Sequence, residues 1–191
     1  MPALREAAPW ILITLGVWAA ASTAKESRLI EFEIQDQFHH VHRSTDYLGR
    51  VIVVIGSGKG GREYNTPWGR ALHDSLPSEF AGDDLVFVPV ADVRGVPFFL
   101  KGHVRGKFPR EKHKWALVDW KGQFARAYDW NPKACNLLVF ARDGSLVYQM
   151  YGRELEAVKL QVVVNTIRGL LPRGTTQASH IVRAFEAQES R

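Results

Sequence analysis

Residues 50–68, which read RVIVVIGSGKGGREYNTPW, contain the pattern that decides the fold. Residues 50–55 form a continuous apolar run after Arg50, which is typical of a central parallel strand covered on both faces. A glycine-rich loop follows. Threonine favours helix caps and proline fits the first helical position, so Thr66 and Pro67 predict a helix that starts there and ends near Leu76.

The segments before and after this stretch predict an alternating α/β order. Residues 30–34 alternate as a half-buried strand, and residues 36–49 are predicted to be a turn-rich lead-in to the central strand. Beyond the first helix, the pattern predicts a strand at residues 85–90 and a helix or irregular lid at 95–108. A strand at 115–118 and a short helix at 121–128 follow.

The last part of the domain has the clearest local signal. Residues 136–140 and 145–151 are apolar runs on either side of Asp143-Gly144, a dipeptide that favours a tight β-hairpin. Residues 154–171 place apolar side chains on one face, which predicts a closing helix.

The composition is that of one globular domain with short extensions. The chain has 191 residues, of which 46% are hydrophobic and 24% charged, and a formal net charge of +5. A domain of this length buries a substantial core without disulfide bonds or structural metals. Cys135 is the only cysteine, which excludes an internal disulfide bond.

The N-terminal segment predicts export. Residues 7–24 are 18 uncharged residues, preceded by Arg5 and ending in a small-residue sequence that resembles a signal-peptide cleavage site. The same length also suffices for an uncleaved membrane helix. We therefore expect a signal peptide or single membrane anchor at 1–24, a folded domain at 25–171 and a polar tail at 172–191. Either alternative places the domain outside the cytoplasm, in the periplasm or an equivalent compartment.

Two motifs connect this order of elements to a known family. The run ALVDWKGQFARAY at residues 116–128 is followed by LLVFARDG at residues 137–144. The pair resembles the redoxin run in which Asp-x-x-Gly precedes a small helix ending in tyrosine, and an apolar strand then ends in Asp-Gly. Residues 36–50 also resemble the redoxin opening. Over residues 30–171 the chain is similar to thioredoxin-fold proteins of the peroxiredoxin-like branch.

This resemblance implies an α/β fold of three layers, with helices on both faces of a central mixed sheet, here with one additional N-terminal hydrophobic helix. In the family, the loop after the first central strand carries the reactive cysteine. Residues 56–68 contain neither the peroxidatic Pro-x-x-x-Thr-x-x-Cys motif nor Cys-x-x-Cys. Where thioredoxins place a cis-proline and peroxiredoxins an arginine, just before the fourth strand, the chain has Cys135 or a neighbour. We therefore expect neither thiol peroxidase nor disulfide reductase activity.

Cys135 is the one candidate for residual thiol chemistry. A reactive thiol needs nearby cations that lower its pKa, and Lys133 is the only local cation. The alternative is an inert buried thiol at the start of a strand. No Ser-His-Asp arrangement and no carboxylate pair stands out, and no cofactor is predicted.

The glycine loop is a second candidate site. Residues 56–61 match the dinucleotide pattern G-x-G-x-x-G, but that pattern requires a helix that starts within the glycines. Asp92 also lies about thirty residues beyond the last glycine, where such a site expects an acidic residue at about twenty. Two alternatives remain: a loop without function, or an anion site formed by the backbone amides and cations of Gly58, Lys59, Gly60, Gly61 and Arg62.

Three histidines in four residues form a third candidate. His40 and His42 share one face of an extended segment and are weak candidates for zinc or copper ligands. No carboxylate or thiol at ligand spacing is evident beside them in the sequence. The alternative is a group of surface histidines.

A basic segment spans residues 101–114, in which Glu111 is the only acidic residue. It is either a solvated stretch or a docking surface for anionic lipid or an acidic partner. Its cations are Lys101, Arg105, Lys107, Arg110, Lys112 and Lys114. Next to it, Phe98-Phe99, and further along Trp130, are candidates for partly exposed interface residues.

Taken together, the sequence predicts a non-catalytic thioredoxin-fold interaction module, exported or tethered to a membrane. The expected partners are proteins at or in a membrane, as for an accessory subunit of a membrane-associated complex. Nucleic acid is disfavoured by the export signal and by the lack of a recognised nucleic-acid-binding module. The alternatives are a residual oxidoreductase that uses Cys135 and an anion- or ligand-binding protein that uses residues 56–62.

Overall fold

Strands and helices alternate along the part of the chain that the structure describes, residues 26–76 and 84–172 of a computed structural model. The strands are β1 (Glu33–Gln35), β2 (Val41–Arg43), β3 (Val51–Ser57), β4 (Leu85–Asp92), β5 (Leu117–Asp119), β6 (Cys135–Phe140) and β7 (Leu146–Gly152). The helices are α1 (Arg62–Ser75), α2 (Lys101–Arg105), α3 (Gln123–Ala127) and α4 (Ala157–Leu170).

Strand β3 is the middle strand of a five-stranded mixed sheet. The order is β5-β4-β3-β6-β7, with β3, β4 and β5 parallel and β6 and β7 antiparallel. Strands β1 and β2 form a separate antiparallel hairpin, and a single bridge between Asp36 and Leu117 joins it to β5. The predicted hairpin about Asp143-Gly144 is confirmed, with Gly144 at a φ of +82°.

Two cores lie on opposite faces of the sheet. On one face, α1 and α4 cover Val51, Val53 and Ile55 of β3 with residues such as Trp68. On the other face, α3 and the β1–β2 hairpin cover the alternate residues of the same strand. The expected three-layer α/β architecture with a central mixed sheet is therefore confirmed, and the hairpin supplies part of one outer layer.

Helix α1 starts earlier than predicted. It begins at Arg62 with Gly61 as its N-cap, so the predicted start at Thr66-Pro67 is wrong and Pro67 lies inside the helix. A proline there removes one hydrogen bond to the preceding turn. Trp68 and Leu72 are fully buried, and their packing outweighs that local preference.

Other boundaries also differ from the sequence-based expectation. The strand predicted at 30–34 is Glu33–Gln35, and the lead-in contains β2 and a 3₁₀ turn at Ser44–Asp46. The predicted lid is a 3₁₀ turn at Phe98–Leu100 that continues into α2. These segments are short, so their sequence periodicity is weak.

The predicted N-terminal segment at 1–24 and nearly all of the predicted tail at 172–191 lie outside the described residues, so both remain predictions. Within residues 26–76 and 84–172, no helix is long and apolar enough to cross a membrane.

Two glycines are required where the chain approaches itself closely. A Cβ at Gly61 would lie 2.2 Å from the carbonyl oxygen of Ala134. A Cβ at Gly56 would lie 2.3 Å from the Val90 carbonyl oxygen and 2.5 Å from the Trp130 ring. The glycine loop therefore packs tightly against the segment that leads into β6.

We expect Gly61→Ala to lower the free energy of unfolding by about 1–3 kcal/mol, because backbone atoms must move to admit the methyl group. The φ of Gly61 is −114°, so the effect is one of packing and not of backbone strain. Gly169→Ala in α4 is the matched control, since nothing lies within 4 Å of its added Cβ. It should be neutral or stabilising by up to about 1 kcal/mol. Urea denaturation monitored by circular dichroism measures both, and equal stability of the two variants would contradict the packing model.

Candidate functional site

The glycine loop lies at the carboxyl end of β3, where a 3₁₀ turn at Lys59–Gly61 leads directly into α1. Helix α1 therefore starts directly after the glycines, and the predicted late start that spoke against a dinucleotide site is wrong. The glycines nevertheless have a packing role of their own, since Gly56 and Gly61 contact protein atoms. Glycine at these two positions is thus explained without a bound phosphate.

The anion-site residues have mixed surroundings. Lys59, Gly60 and Arg62 are exposed, and Gly61 is buried. A Cβ at Gly60 would lie 3.1 Å from the carbonyl oxygen of Pro132. A carbonyl oxygen carries partial negative charge and would repel an anion beside it. Anion binding at Gly58–Arg62 remains a prediction.

A buried asparagine holds the segment that packs on this loop, and sequence reasoning did not single it out. Asn136 is 1% exposed, and its Nδ2 donates to the carbonyl oxygens of Asn131 at 3.0 Å and Ala134 at 3.1 Å. Its Oδ1 accepts from the Asn131 backbone N–H at 2.8 Å. No cis peptide bond is present in the described chain, so the loop before β6 differs from the cis-proline loop of thioredoxins. The sequence feature that could have identified Asn136 is a polar residue within an otherwise apolar strand.

Cys135 is the first residue of β6 and is fully buried, in the core beneath α1 and α4. Burial raises the pKa of its thiol to about 12. A thiolate is therefore disfavoured, and the nearby Lys133 is exposed to solvent. This environment is that of an inert thiol.

The two candidate metal ligands both contact one carboxylate. Asp36 Oδ2 lies 3.2 Å from His40 Nδ1 and 3.3 Å from His42 Nε2. His42 Nδ1 also contacts the Tyr47 hydroxyl at 2.7 Å, and its ring stacks on Trp115. The sequence-based statement that no carboxylate stands beside these histidines is wrong, because the hairpin turn brings Asp36 back onto them.

These contacts already occupy both ring nitrogens of His42. Among the described residues, no group of three or more histidines, cysteines or carboxylates is arranged to hold a metal ion. Asp36 itself is 1% exposed. Burial raises the pKa of this carboxyl group, but the hydrogen bonds that it accepts from His42, His40 and Phe38 outweigh that effect and hold its pKa below 3.8.

The same turn fixes the basic segment to the hairpin. Arg105 Nη1 donates to the Asp36 carbonyl oxygen at 2.6 Å, and Nη2 donates to Gln35 Oε1 at 3.2 Å. Buried Gln37 donates to the Lys114 carbonyl oxygen at 2.9 Å and accepts from the Ala116 N–H at 2.8 Å. We call Asp36 and Gln37 the clamp, because together they hold the hairpin, α2 and the start of β5.

The six cations of the basic segment are not equivalent. Lys101 and Arg105 lie over the Trp120 ring, at 5.1 Å and 5.9 Å from its centroid, and Lys114 forms an ion pair with Glu111 at 2.7 Å. The other three are exposed and have no ion-pair partner among the described residues: Lys107, Arg110 and Lys112. Arg105 therefore has a structural role, and the docking surface at residues 101–114 remains a prediction.

The parallel strands bring two carboxylates together that the sequence did not pair. Asp92 and Asp119 are register partners at the ends of β4 and β5. Asp119 is 1% exposed and accepts from the backbone N–H groups of Lys121 and Phe124, so it fixes the turn into α3. Burial and the nearby Asp92 raise the pKa of Asp119. The hydrogen bonds that it accepts lower its pKa but do not cancel this rise. Arg94 pairs with Asp92 at 3.0 Å.

An open groove of about 840 Å³ lies between the β1–β2 hairpin and the turn that follows β5. The chain turns away from β1 after Val118, whose carbonyl oxygen accepts from the Trp120 N–H. The residues that border the groove include Glu31, Glu33, Lys101, Asp119, Trp120 and Lys121.

One edge of strand β1 faces this groove. The N–H of Ser44 donates to the carbonyl oxygen of Phe32, and the N–H of Asp36 donates to that of His40. Hydrogen-bonded pairs alternate along an antiparallel ladder. Glu33 therefore directs its N–H and C=O groups away from β2, toward the side where β5 has diverged.

Comparison with solved structures identifies the fold. The pneumococcal exposed lipoprotein thioredoxin Etrx1 of Streptococcus pneumoniae matches with a TM-score of 0.56 and 18% identity, over 74% of this chain and 100% of that one. The fold is thioredoxin-like. A candidate thiol:disulfide interchange protein DsbE of Chlorobium tepidum has a TM-score of 0.55 and 16% identity, over 76% of this chain and 96% of its own. Peroxiredoxin Q of Xanthomonas campestris has a TM-score of 0.52 and 14% identity, over 75% and 98%.

At these identities the similarity concerns the fold alone. No family model matches the sequence, and no curated protein matches it. The predicted thioredoxin-like fold is confirmed, and a single cysteine outside the glycine loop is consistent with a missing catalytic thiol. Function has to be argued from this chain's own residues.

We expect Asp36→Asn to lower the free energy of unfolding by about 1–3 kcal/mol at pH 7, because the donors of His40, His42 and Phe38 lose a charged, buried acceptor. The pKa of Asp36 is lowered in the folded state, so its contribution is present above the ordinary pKa of 3.8 and is lost as the pH falls through the folded value. The difference between wild type and variant should therefore shrink below about pH 4. Urea denaturation over a pH series measures it.

Glu33→Gln is the control for this measurement. Its ion pair with Arg43 is exposed on both sides, so its loss should change stability by less than about 1 kcal/mol. A constant difference between wild type and Asp36→Asn down to acid pH would show that the carboxylate charge is unimportant.

Proposed function

We propose that this protein is a non-catalytic interaction module built on a thioredoxin-like fold. The observation that carries the proposal is the environment of Cys135: the chain's only thiol is fully buried and its pKa is raised to about 12. The loop at the carboxyl end of β3 offers a buried serine, Ser57, and no thiol. Redox chemistry of the usual kind needs an accessible thiolate in such a position.

The groove beside β1 is the surface that we assign to a protein partner. Glu33 lies on a strand edge beside the groove, and an extended peptide adds to such an edge through main-chain hydrogen bonds. The groove lining contains both signs of charge: Glu31 and Asp119 are acidic, and Lys101 and Lys121 are basic. A partner segment with mixed charge and extended backbone fits this lining.

We further propose that the module acts outside the cytoplasm at a membrane, as a subunit or accessory of a membrane-associated complex. The support is the uncharged segment at residues 7–24. Etrx1, which shares the fold, is described as an exposed lipoprotein. Intact mass and N-terminal sequencing of the protein from native membranes would separate a retained anchor from a cleaved signal peptide.

Native protein should resist thiol reagents. With a pKa of about 12, roughly one Cys135 thiol in ten thousand is ionised at pH 8 even when reagent reaches it. We expect labelling by Ellman's reagent to be at least about a thousandfold slower in buffer than in denaturant, because reaction needs both opening and ionisation.

The same preparation tests turnover. Wild type and Cys135→Ser should both fail to reduce peroxide with a dithiol reductant. Turnover that disappears in Cys135→Ser would instead support the residual oxidoreductase.

The groove is tested with a matched pair of substitutions at one position. Glu33→Pro removes the N–H that faces the groove but no bond to β2, and proline is tolerated on such an edge. Glu33→Ala removes the same side chain and keeps the N–H. With a photo-cross-linking residue at Lys121, we expect a discrete protein adduct from native membranes that persists in Glu33→Ala and is lost in Glu33→Pro.

A cross-linker at Tyr151, which is 58% exposed on the far edge strand β7, serves as the positional control and should not give that adduct. The adduct's survival in folded Glu33→Pro, verified by circular dichroism, would exclude strand addition at β1. An equal adduct at both positions would exclude the groove as the partner site.

A further inference from the structure

The most exposed large apolar side chains of the described residues include two neighbours. Phe98 is 82% exposed and Phe99 is 71% exposed, and Leu100 beside them is 41% exposed. Isolated exposed apolar residues are normal, but contiguous ones at this exposure mark an interaction surface. We call residues 98–100 the aromatic tip.

The aromatic tip does not owe its exposure to a loose loop. Its residues form a 3₁₀ turn in which the Leu100 N–H donates to the Pro97 carbonyl oxygen at 3.0 Å. The Phe98 and Phe99 rings meet edge to face at 5.7 Å. The turn continues into α2, which Arg105 fastens to the clamp. The rings are therefore held outward, and ordering them on a surface loses little conformational entropy.

Positive charge follows the tip along the chain. Lys107, Arg110 and Lys112 are exposed and have no ion-pair partner in the described parts of the chain, and Lys101 follows the tip immediately. The one acidic residue of the segment, Glu111, is already paired with Lys114. Apolar rings with cations around them are the arrangement by which peripheral proteins bind anionic bilayers.

We propose that residues 98–112 dock the domain on an anionic bilayer surface, with Phe98, Phe99 and Leu100 entering the interfacial region and the free cations facing lipid phosphates. Charge complementarity selects the bilayer over a protein, because the free charges of this segment are all positive and phosphate headgroups present a continuous negative surface. The tip projects outward, and a fluid interface accepts such a projection without a preformed pocket. This surface adjoins the proposed partner groove, which Lys101 also borders, but Phe98, Phe99, Lys107 and Arg110 do not line that groove.

The test uses the full chain with an environment-sensitive nitrobenzoxadiazole probe on Phe98→Cys. The probe goes to that position because Cys135 is buried. Vesicles of phosphatidylcholine alone are compared with vesicles that also contain phosphatidylglycerol. We expect a blue shift and increased emission with the anionic vesicles only, reduced by added salt because exposed charges are screened.

Two double substitutions separate the contribution of the cations to vesicle binding from that of the apolar side chains. Lys107→Glu/Arg110→Glu should lower the affinity for anionic vesicles by at least about 25-fold. Each basic residue near the surface contributes a factor of about five to that affinity. Phe99→Ser/Leu100→Ser should reduce the blue shift because less apolar surface enters the interface. Arg153→Glu/Lys159→Glu changes the net charge equally at positions after β7 and on α4, and it should leave the response intact.

A probe on Val158→Cys controls for insertion of the N-terminal segment. Val158 is 78% exposed on α4, so vesicle capture by residues 1–24 alone would leave positions 98 and 158 equally unaffected. Equal response at both positions, or a response at 98 that ignores lipid charge and the Lys107/Arg110 substitutions, would overturn the proposal. If the probe at position 98 shows no fluorescence change with vesicles, and this position cross-links to a protein, the aromatic tip would be assigned to a protein partner instead.

Discussion

The complete burial of strand β3 is the constraint on which the rest of the structure depends. Every residue from Val51 to Ser57 is buried, and the strand is paired on both edges, in parallel with β4 and antiparallel with β6. Its alternate side chains enter two different cores. A strand in this position must be covered by layers on both faces, so exposed chemistry can occur only at the ends of strands and at the edges of the sheet.

This constraint explains why the thiol is buried and why the glycine loop packs closely against protein atoms. Cys135 starts a strand that pairs with β3, so its side chain enters the core and its pKa rises. The glycine loop leaves the end of β3 and immediately meets the Asn131–Ala134 segment that Asn136 holds. In this chain the loop at the carboxyl end of β3 packs against protein atoms. The surfaces that remain available lie beside β5, where the groove, the basic segment and the aromatic tip adjoin one another.

The clamp gives that edge a defined shape. Asp36 and Gln37 are buried polar residues in the turn of the hairpin, and their hydrogen bonds reach Arg105, Lys114 and Ala116. A buried carboxylate is tolerated only when its acceptor sites are filled, as they are here by His40, His42 and the Phe38 N–H. The same side chains that looked like candidate metal ligands therefore stabilise the platform from which the aromatic tip projects.

The features with a local pattern could be predicted from the sequence: the apolar run of β3, the hairpin about Asp143-Gly144, the closing helix and the absence of a cysteine in the glycine loop. Periodicity and turn preferences depend on residues that are close in sequence, so these features can be predicted without a structure. The tertiary structure alone decided that Asp36 meets His40 and His42, that Arg105 belongs to the clamp while Lys107 stays free, and that Phe98 is exposed while Trp130 is buried. It also moved the start of α1 to Arg62 against the local preference of Pro67. These outcomes depend on which distant segments pack together, because burial and hydrogen bonding across the fold outweigh the short-range preferences that a sequence displays.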